Sequence, residues 1–183
     1  MSTHEKDSAH VQSSPHELTG VEASDRLREL VTDIDFTLLT TVDASGHLVS
    51  RPMSTRHVDD DGTIWFFTSD DSKKADEVDE ESDVNLAYLD NKGMRFVTVA
   101  GKARIVDDRD LMERLYTPSL DIWFADGLDT PDIALLRVSP VEAEFWEPAH
   151  GKIAMAAGML KALITRDTPD DTMTHGTVRG SAA

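Results

Sequence analysis

Apolar residues recur at two different spacings along the chain, and the change of spacing separates helices from strands. Leu27, Leu30, Val31 and Ile34 fall at positions i, i+3, i+4 and i+7 with charged residues between them, which is typical of an amphipathic helix. Similar but shorter patterns follow later in the chain. Helices are therefore predicted over residues 21–34, 72–81, 108–116 and 153–166.

Between these helices the apolar residues alternate or cluster in short runs rich in Val, Leu, Thr and Phe, which predicts strands. Turn signals such as Asp43–Gly46 and Asp59–Gly62 separate neighbouring runs, so consecutive strands are expected to pair in antiparallel fashion. Pro52 has no N–H to donate, so its strand is expected to lie at an edge, at a bulge or beside a ligand. Strands are predicted over residues 36–43, 47–58, 63–69, 84–90, 94–106, 133–138 and 141–146, with Ser139–Pro140 joining the last two.

This succession of elements predicts a mainly β fold with flanking helices, arranged as an antiparallel barrel or sandwich. With 183 residues, the chain is expected to hold one domain, over residues 18–166. Residues 1–17 are polar and aperiodic, which predicts a disordered N-terminal tail. The turn-rich residues 167–183 predict a flexible C-terminal tail.

The charge balance narrows the classes of partner. A net charge of −17, from 35 acidic and 18 basic residues, argues against nucleic acid and against an anionic membrane surface. Neither a signal peptide nor a long apolar stretch is present, so a cytoplasmic protein is expected. The absence of cysteine excludes disulfides and thiolate sites, and no His spacing predicts a metal centre. In so acidic a chain, a local cluster of bases is a candidate for function.

Such a cluster lies where a predicted strand meets a predicted helix, at Ser72, Lys73 and Lys74. A helix N-terminus carries unpaired N–H groups and partial positive charge, so two lysines there oppose the dipole unless an anion binds. The alternative is an exposed helix on which Lys73 pairs weakly with Asp76 or Glu77. The pattern by itself leaves both interpretations open.

Other candidate residues are weaker when taken singly. Arg51 and Arg56 lie five residues apart on one strand, so strict alternation places them on opposite faces, and both are equally compatible with a solvated surface. Trp146 ends the last predicted strand, while Trp123 and Phe124 lie in a loop. These aromatic residues can stack on a flat ring, although packing in a core or an interface is the commoner role.

Six motifs, taken together and in order, resemble those of the pyridoxamine phosphate oxidase-like FMN-binding split barrels. Within that family, the chain resembles the general stress protein branch. The similarity covers about residues 22–165. The motifs are VSRPM (49–53), WFFTSDDSKK (65–74), VNLAYLD (84–90), VTVAGKARIV (97–106), WFADGLDTPDIALLRV (123–138) and AEFWE (143–147).

The resemblance implies an antiparallel split β-barrel and a homodimer that holds FMN at the subunit interface, with FAD as a further cofactor to consider. The strand from Arg51 to Arg56 would run along the flavin, with Arg51 at the phosphate. In these proteins a Ser-basic-Lys run binds the phosphate, and this run matches Ser72, Lys73 and Lys74. The cofactor-binding residues implied are Arg51, Pro52, Met53, Ser54, Arg56, Phe67, Thr68, Ser72, Lys73, Lys74, Phe96 and Trp146.

This chain departs from the true oxidases at positions that bind the substrate in those enzymes. The oxidases carry an Arg-Leu-His-x-Arg run after the tryptophan, where this chain has Lys152–Ala156 without the His or the last Arg. The helix residue that supplies an arginine for the substrate phosphate has no counterpart in Leu115–Ser119. Oxidation of pyridoxamine phosphate is therefore not expected. The leading hypothesis is a stress-related, flavin-dependent oxidoreductase of unknown substrate; the alternatives are a non-enzymatic flavin-binding or flavin-buffering protein, and a split barrel that binds haem or a deazaflavin.

Overall fold

The computed structural model describes residues 16–149 and 173–179. Three helices are present in these ranges: α1 (Gly20–Val31), α2 (Lys73–Glu80) and α3 (Arg109–Leu115), with short 3-10 helices at Pro118–Ile122 and Gly127–Asp129. The strands are β1 (His16–Thr19), β2 (Phe36–Val42), β3 (Leu48–Ser54), β4 (His57–Val58), β5 (Ile64–Ser69), β6 (Asp83–Asp90), β7 (Arg95–Val106), β8 (Ile133–Pro148) and β9 (Met173–Arg179). The three predicted helices that fall within the described residues are confirmed, although α1 ends at Val31.

The strands form one sheet that does not close on itself. Its order is β1-β9-β8-β7-β6-β2-β3, while β5 pairs with β8 and carries β4 on its other side. All pairs are antiparallel except β1 with β9. The predicted mainly β, antiparallel split-barrel fold is confirmed.

The last barrel strand differs from the prediction. Residues 133–138 and 141–146 belong to one strand, β8, rather than to two strands joined at Ser139–Pro140. Gly101 pairs with Pro140 and Ala100 with Glu142, so Val141 is the extra residue of a β-bulge. The Ser-Pro turn signal therefore marks a bend within a strand, where a residue without an N–H is tolerated. A Cβ on Gly101 would lie 2.8 Å from the Ser139 carbonyl oxygen, so only glycine fits this close approach.

Two short segments within the predicted tails lie in strands. His16–Thr19 pairs in parallel with Gly176–Arg179, and β9 in turn pairs with the second half of β8. Within β9, Thr177 and Val178 are buried, so the strand contributes to the core. The disordered tail expected over residues 1–17 and the flexible tail expected over residues 167–183 stay predictions, although residues 16–19 and 173–179 lie in strands that pair with distant segments. The predicted helix 153–166 lies outside the described residues.

The core has two parts that meet at β5, whose side chains are buried on both faces. Ile64 and Phe66 point into the main cluster, where Leu27 and Leu30 of α1 cover one end of the sheet. Trp65 and Phe67 point the other way, into a second cluster. That second cluster contains Met112, Leu120, Ile133 and Leu135. No helix within residues 16–149 and 173–179 is long and apolar enough to cross a membrane.

Candidate functional site

A pocket of about 410 Å³ opens between β3 and β5, which approach each other without forming a ladder. Its size lies within the range of small-molecule sites. One end is polar and holds two cationic side chains, Arg51 and Lys74, while the other is apolar and largely aromatic. The lining residues are Phe36, Arg51, Pro52, Met53, Ser54, Phe67, Thr68, Ser69, Lys74, Leu120, Trp123 and Phe124.

Arg51 is fixed at the polar end by the neighbouring β2 and α2. Its guanidinium Nη1 donates to Thr41 Oγ1 at 2.9 Å and to Glu77 Oε2 at 2.8 Å. Thr41 also donates to the same Glu77 carboxylate, and both residues are buried. The hydrogen bond from Arg51 holds the pKa of Glu77 below its ordinary value, so the carboxylate is ionised at neutral pH. Because a guanidinium has five N–H groups, Arg51 keeps donors for a ligand.

Lys74 is the second cation of this end, and it is held without an acidic partner. Its ammonium group donates to Thr68 Oγ1 and lies 3.4 Å from Ser72 Oγ. Burial, and after it the nearby charge of Arg51, lowers the pKa of Lys74. Within the described residues no carboxylate comes within ion-pair distance of it. An ammonium that is half-buried and unpaired in a chain of net charge −17 favours a bound anion.

The two adjacent lysines have different environments. The Ser72 hydroxyl caps α2 by accepting from the Ala75 N–H at 3.3 Å, and it keeps its own proton for a further acceptor. Lys73, the first residue of α2, is exposed and does not line the pocket. The structure thus separates the predicted Ser72, Lys73 and Lys74 run, because only Lys74 points toward the pocket.

The apolar end is built from β5 and from the loop that contains the 3-10 helices. The Phe67 ring makes edge contacts with Tyr116 and Phe124, at centroid distances of 5.7 and 6.3 Å. Trp123 is 71% exposed at the mouth of the pocket. Flat aromatic surfaces beside an opening suit a planar ring system.

Seven of the residues implied by the resemblance line this pocket, and five do not. Arg56 lines a different cavity of about 280 Å³, and its Nη2 donates to Thr117 Oγ1 at 2.7 Å. The lining residues among those expected are Arg51, Pro52, Met53, Ser54, Phe67, Thr68 and Lys74; Arg56, Ser72, Lys73, Phe96 and Trp146 lie outside it.

Phe96 and Trp146 lie on the outer face of the sheet, several strands away from the pocket. They are directly paired across β7 and β8, and Trp146 stacks on His175 of β9 with ring centroids 4.9 Å apart. Trp146 is three strands away from β2, which is roughly 14 Å at ordinary strand spacing. Within one chain the structure therefore does not bring Trp146 to the pocket.

That outer sheet face carries exposed apolar side chains beside the pocket. Leu38 is directly opposite Pro52 on one side and Ala87 on the other, so the three share a face. Phe36, Leu38 and Leu89 are 57%, 42% and 49% exposed. Phe36 and Pro52 also line the pocket, so the apolar face and the pocket are continuous.

Several lining residues were absent from the sequence-based set. Phe36 and Leu120 carry no local signal that separates them from core residues. Ser69 follows the expected Phe67–Thr68 pair, so its position at a strand end was the available clue. Trp123 and Phe124 were noted as loop aromatics, and only the fold shows that their loop closes one side of the pocket.

Several known proteins are similar to this chain in sequence or in structure. Protein bli-3 of Neurospora crassa is 29% identical over 149 residues, covering 76% of this chain and 71% of that protein. A crystal structure of a candidate general stress protein 26 from Jannaschia sp. CCS1 is 28% identical, with a TM-score of 0.66, and covers 86% of this chain and 96% of its own. The general stress FMN/FAD binding protein of Xanthomonas citri is 28% identical, with a TM-score of 0.57 and coverages of 68% and 87%.

A heme binding protein from Mycobacterium smegmatis has a TM-score of 0.54 at 14% identity, covering 67% of this chain and 53% of its own, which shows a shared fold alone. A family model described as "Pyridoxamine 5'-phosphate oxidase like" matches residues 22–170, which are most of the sequence. This chain therefore belongs to the pyridoxamine 5'-phosphate oxidase-like family.

Proposed function

We propose that this protein binds FMN in the pocket between β3 and β5, with the phosphate at Lys74 and Arg51 and the ring toward Phe67 and Trp123. The observation that carries the proposal is the half-buried Lys74 ammonium, which has no carboxylate partner among the described residues and lies beside a second cation. A phosphate satisfies both cations through charge-assisted hydrogen bonds. The aromatic end of the same pocket suits a flat ring.

The complete site requires a second copy of the chain. Phe96 and Trp146, implied as flavin contacts by the family resemblance, lie on the outer face and cannot reach the pocket of their own chain. A homodimer that buries the face of Phe36, Leu38 and Leu89 would cover this apolar surface next to the pocket. Two-fold symmetry would then give two equivalent sites.

The chemistry at this site is redox chemistry, which the flavin supplies when bound. Of the described residues that line the pocket, none is Asp, Glu, His, Cys or Tyr, so Lys74 is the only side chain there that commonly exchanges protons. This composition supports a flavin-dependent oxidoreductase that relies on the ring itself, and equally favours a non-enzymatic flavin carrier. Anaerobic reduction by NADH or NADPH, followed by turnover with an added acceptor, separates the two.

The lining also bears on the other cofactor hypotheses. Haem needs an axial ligand such as His, Cys, Tyr or Met, and Met53 is the only such residue that the described lining offers. The absorbance spectrum of the purified protein decides, because flavin gives bands at about 375 and about 450 nm, whereas haem gives a Soret band. Incubation with pyridoxamine phosphate is expected to yield no pyridoxal phosphate.

Lys74→Met tests the phosphate site, and Lys73→Met on the same helix is its matched control. We expect Lys74→Met to weaken FMN about tenfold or more, because a hydrogen bond to a charged group contributes about 1.5–3 kcal/mol. Riboflavin, which lacks the phosphate, should bind both variants and the parent alike. Fluorescence titration measures the affinities, and thermal melting should show an apoprotein as stable as the parent or more so, since an unpaired charge is removed. Parental FMN affinity in Lys74→Met would place the phosphate elsewhere.

A further inference from the structure

The polar end of the pocket has an acidic rim, formed by Asp71 and Asp132 around Ser69. Ser69 lines the pocket next to Thr68, the residue that binds the Lys74 ammonium. The Ser69 hydroxyl lies within hydrogen-bond distance of a carboxylate oxygen of Asp71 and of one of Asp132. A hydroxyl has one proton, so the two carboxylates share a single donor.

The negative charge of this rim is not neutralised within the described residues. Neither Asp71 nor Asp132 forms an ion pair with a basic side chain there. The hydrogen bond from Ser69 lowers the pKa of Asp132, which keeps that carboxylate ionised at neutral pH. The Asp70 N–H binds the Asp132 carbonyl at 2.8 Å and fixes the rim to the end of β5.

The rim borders solvent, since Asp71 is exposed and Asp132 is half-buried. Thr41 and Glu77, the partners of Arg51, are buried, so a ligand does not extend past them. Asp70 and Asp71, in contrast, are exposed. A group that extends from a phosphate at Lys74 toward solvent along Ser69 would therefore pass the two carboxylates.

FMN and FAD differ in how their negative charge is distributed over phosphate groups. The FMN phosphate is a monoester, so most of its two negative charges sit on one group at neutral pH. FAD spreads two negative charges over two linked phosphates. One FAD phosphate would lie away from the Lys74 and Arg51 cations and closer to the two carboxylates of the rim. FAD would therefore be attracted less and repelled more than FMN.

We propose that Asp71 and Asp132 make the pocket specific for FMN over FAD by repelling the second phosphate. This inference rests on the proposed function, since it assumes that a flavin phosphate binds at Lys74. It makes Asp71 and Asp132 specificity-determining residues that act through charge, without contact to the flavin ring.

The test compares FMN, FAD and riboflavin affinities of the full chain with those of the double variant Asp71→Asn/Asp132→Asn. The matched control is Asp107→Asn/Asp110→Asn, which changes the net charge equally at exposed positions outside the pocket lining. We expect the parent to prefer FMN over FAD about tenfold or more. The rim variant should tighten FAD and reduce that ratio about tenfold, while the control leaves the ratio unchanged.

Ionic strength gives a second readout that needs no variant, because screening should lower the parent's preference for FMN as salt rises. An unchanged FMN-to-FAD ratio in the rim variant, or a parent that binds FAD as tightly as FMN, would overturn the role of Asp71 and Asp132 alone. A parent that binds none of the three flavins would overturn the proposed function with it.

Discussion

At the residue scale, the polar end of the pocket depends on the hydrogen-bond partners of one buried carboxylate, Glu77. Glu77 is 9% exposed and accepts hydrogen bonds from Arg51 and Thr41. It forms an ion pair with Arg51 but none with Lys74, so the Lys74 ammonium is left for a ligand. The sequence places Glu77 on the predicted helix, where one of two open interpretations paired Lys73 weakly with Asp76 or Glu77. The fold directs it inward, to Arg51.

Glu77→Gln should lower the free energy of unfolding by about 1–3 kcal/mol at neutral pH, because a charged partner of Arg51 becomes neutral. The pKa of Glu77 is lowered from its ordinary 4.5, so its stabilising effect is present above that value and is lost as the pH falls through the folded-state pKa. Urea unfolding at neutral and acidic pH measures both effects. Glu80→Gln, on the exposed side of the same helix, is the control and should be neutral. A difference that persists unchanged in acid would contradict this account.

At the element scale, two strands show how pairing overrides local signals. One edge of β8 pairs with β7 on both sides of the bulge at Val141, and the other edge pairs with β5 in its first half and with β9 in its second. β9 itself joins the sheet from a segment that looks like a tail. Its Gly176 lies opposite Phe145, and a Cβ there would come within 2.4 Å of the Phe145 ring.

Gly176→Ala should therefore destabilise the protein by about 1–3 kcal/mol, since the buried Phe145 ring must move to admit the methyl group. Thr174→Ala, on the same strand, is the matched control. The midpoint of urea unfolding measures the change for both variants. Equal midpoints for Gly176→Ala and the parent would show that β9 does not pack on Phe145 in solution.

At the scale of the whole molecule, the exposed apolar face and the pocket are one continuous surface. A single chain leaves Leu38, Phe36 and Leu89 open to solvent, and it separates Trp146 from the pocket. Both features are accounted for if the functional unit is a dimer. The charge of −17 on each chain opposes association, so salt should strengthen the dimer by screening.

Leu38→Asp should give a monomer by light scattering, because it places a charge at the centre of the apolar face. Val21→Asp is the control, since Val21 is 76% exposed on α1, away from that face. The Leu38 variant should also bind FMN more weakly, as its site lacks the partner's contribution. A parent that is monomeric with FMN bound would refute the dimer, and a dimeric Leu38→Asp would place the interface elsewhere.

Local sequence patterns predicted the helices α1 to α3, most of the strands from β2 to β7 with their antiparallel pairing, and the chemistry of the pocket strands. Alternation and turn residues act between neighbours, so hairpins such as β2 with β3 follow from short-range patterns. The run of bases at Lys73 and Lys74 was visible for the same reason, as an anomaly against the helix dipole. Arg51 to Ser54, Phe67 and Thr68 were found through motif resemblance, and the fold brings them to one pocket.

Contacts between distant segments determine which of these side chains meet. Lys74 turns toward the pocket and Lys73 toward solvent because α2 is fixed against β2 and β7 by its buried face of Ala75, Glu77 and Val78. The strand β9, the bulge in β8 and the acidic rim each depend on contacts between residues far apart in the chain, such as Ser69 with Asp132. Such contacts carry no local signature, because their free energy arises from packing and charge between segments that the fold brings together.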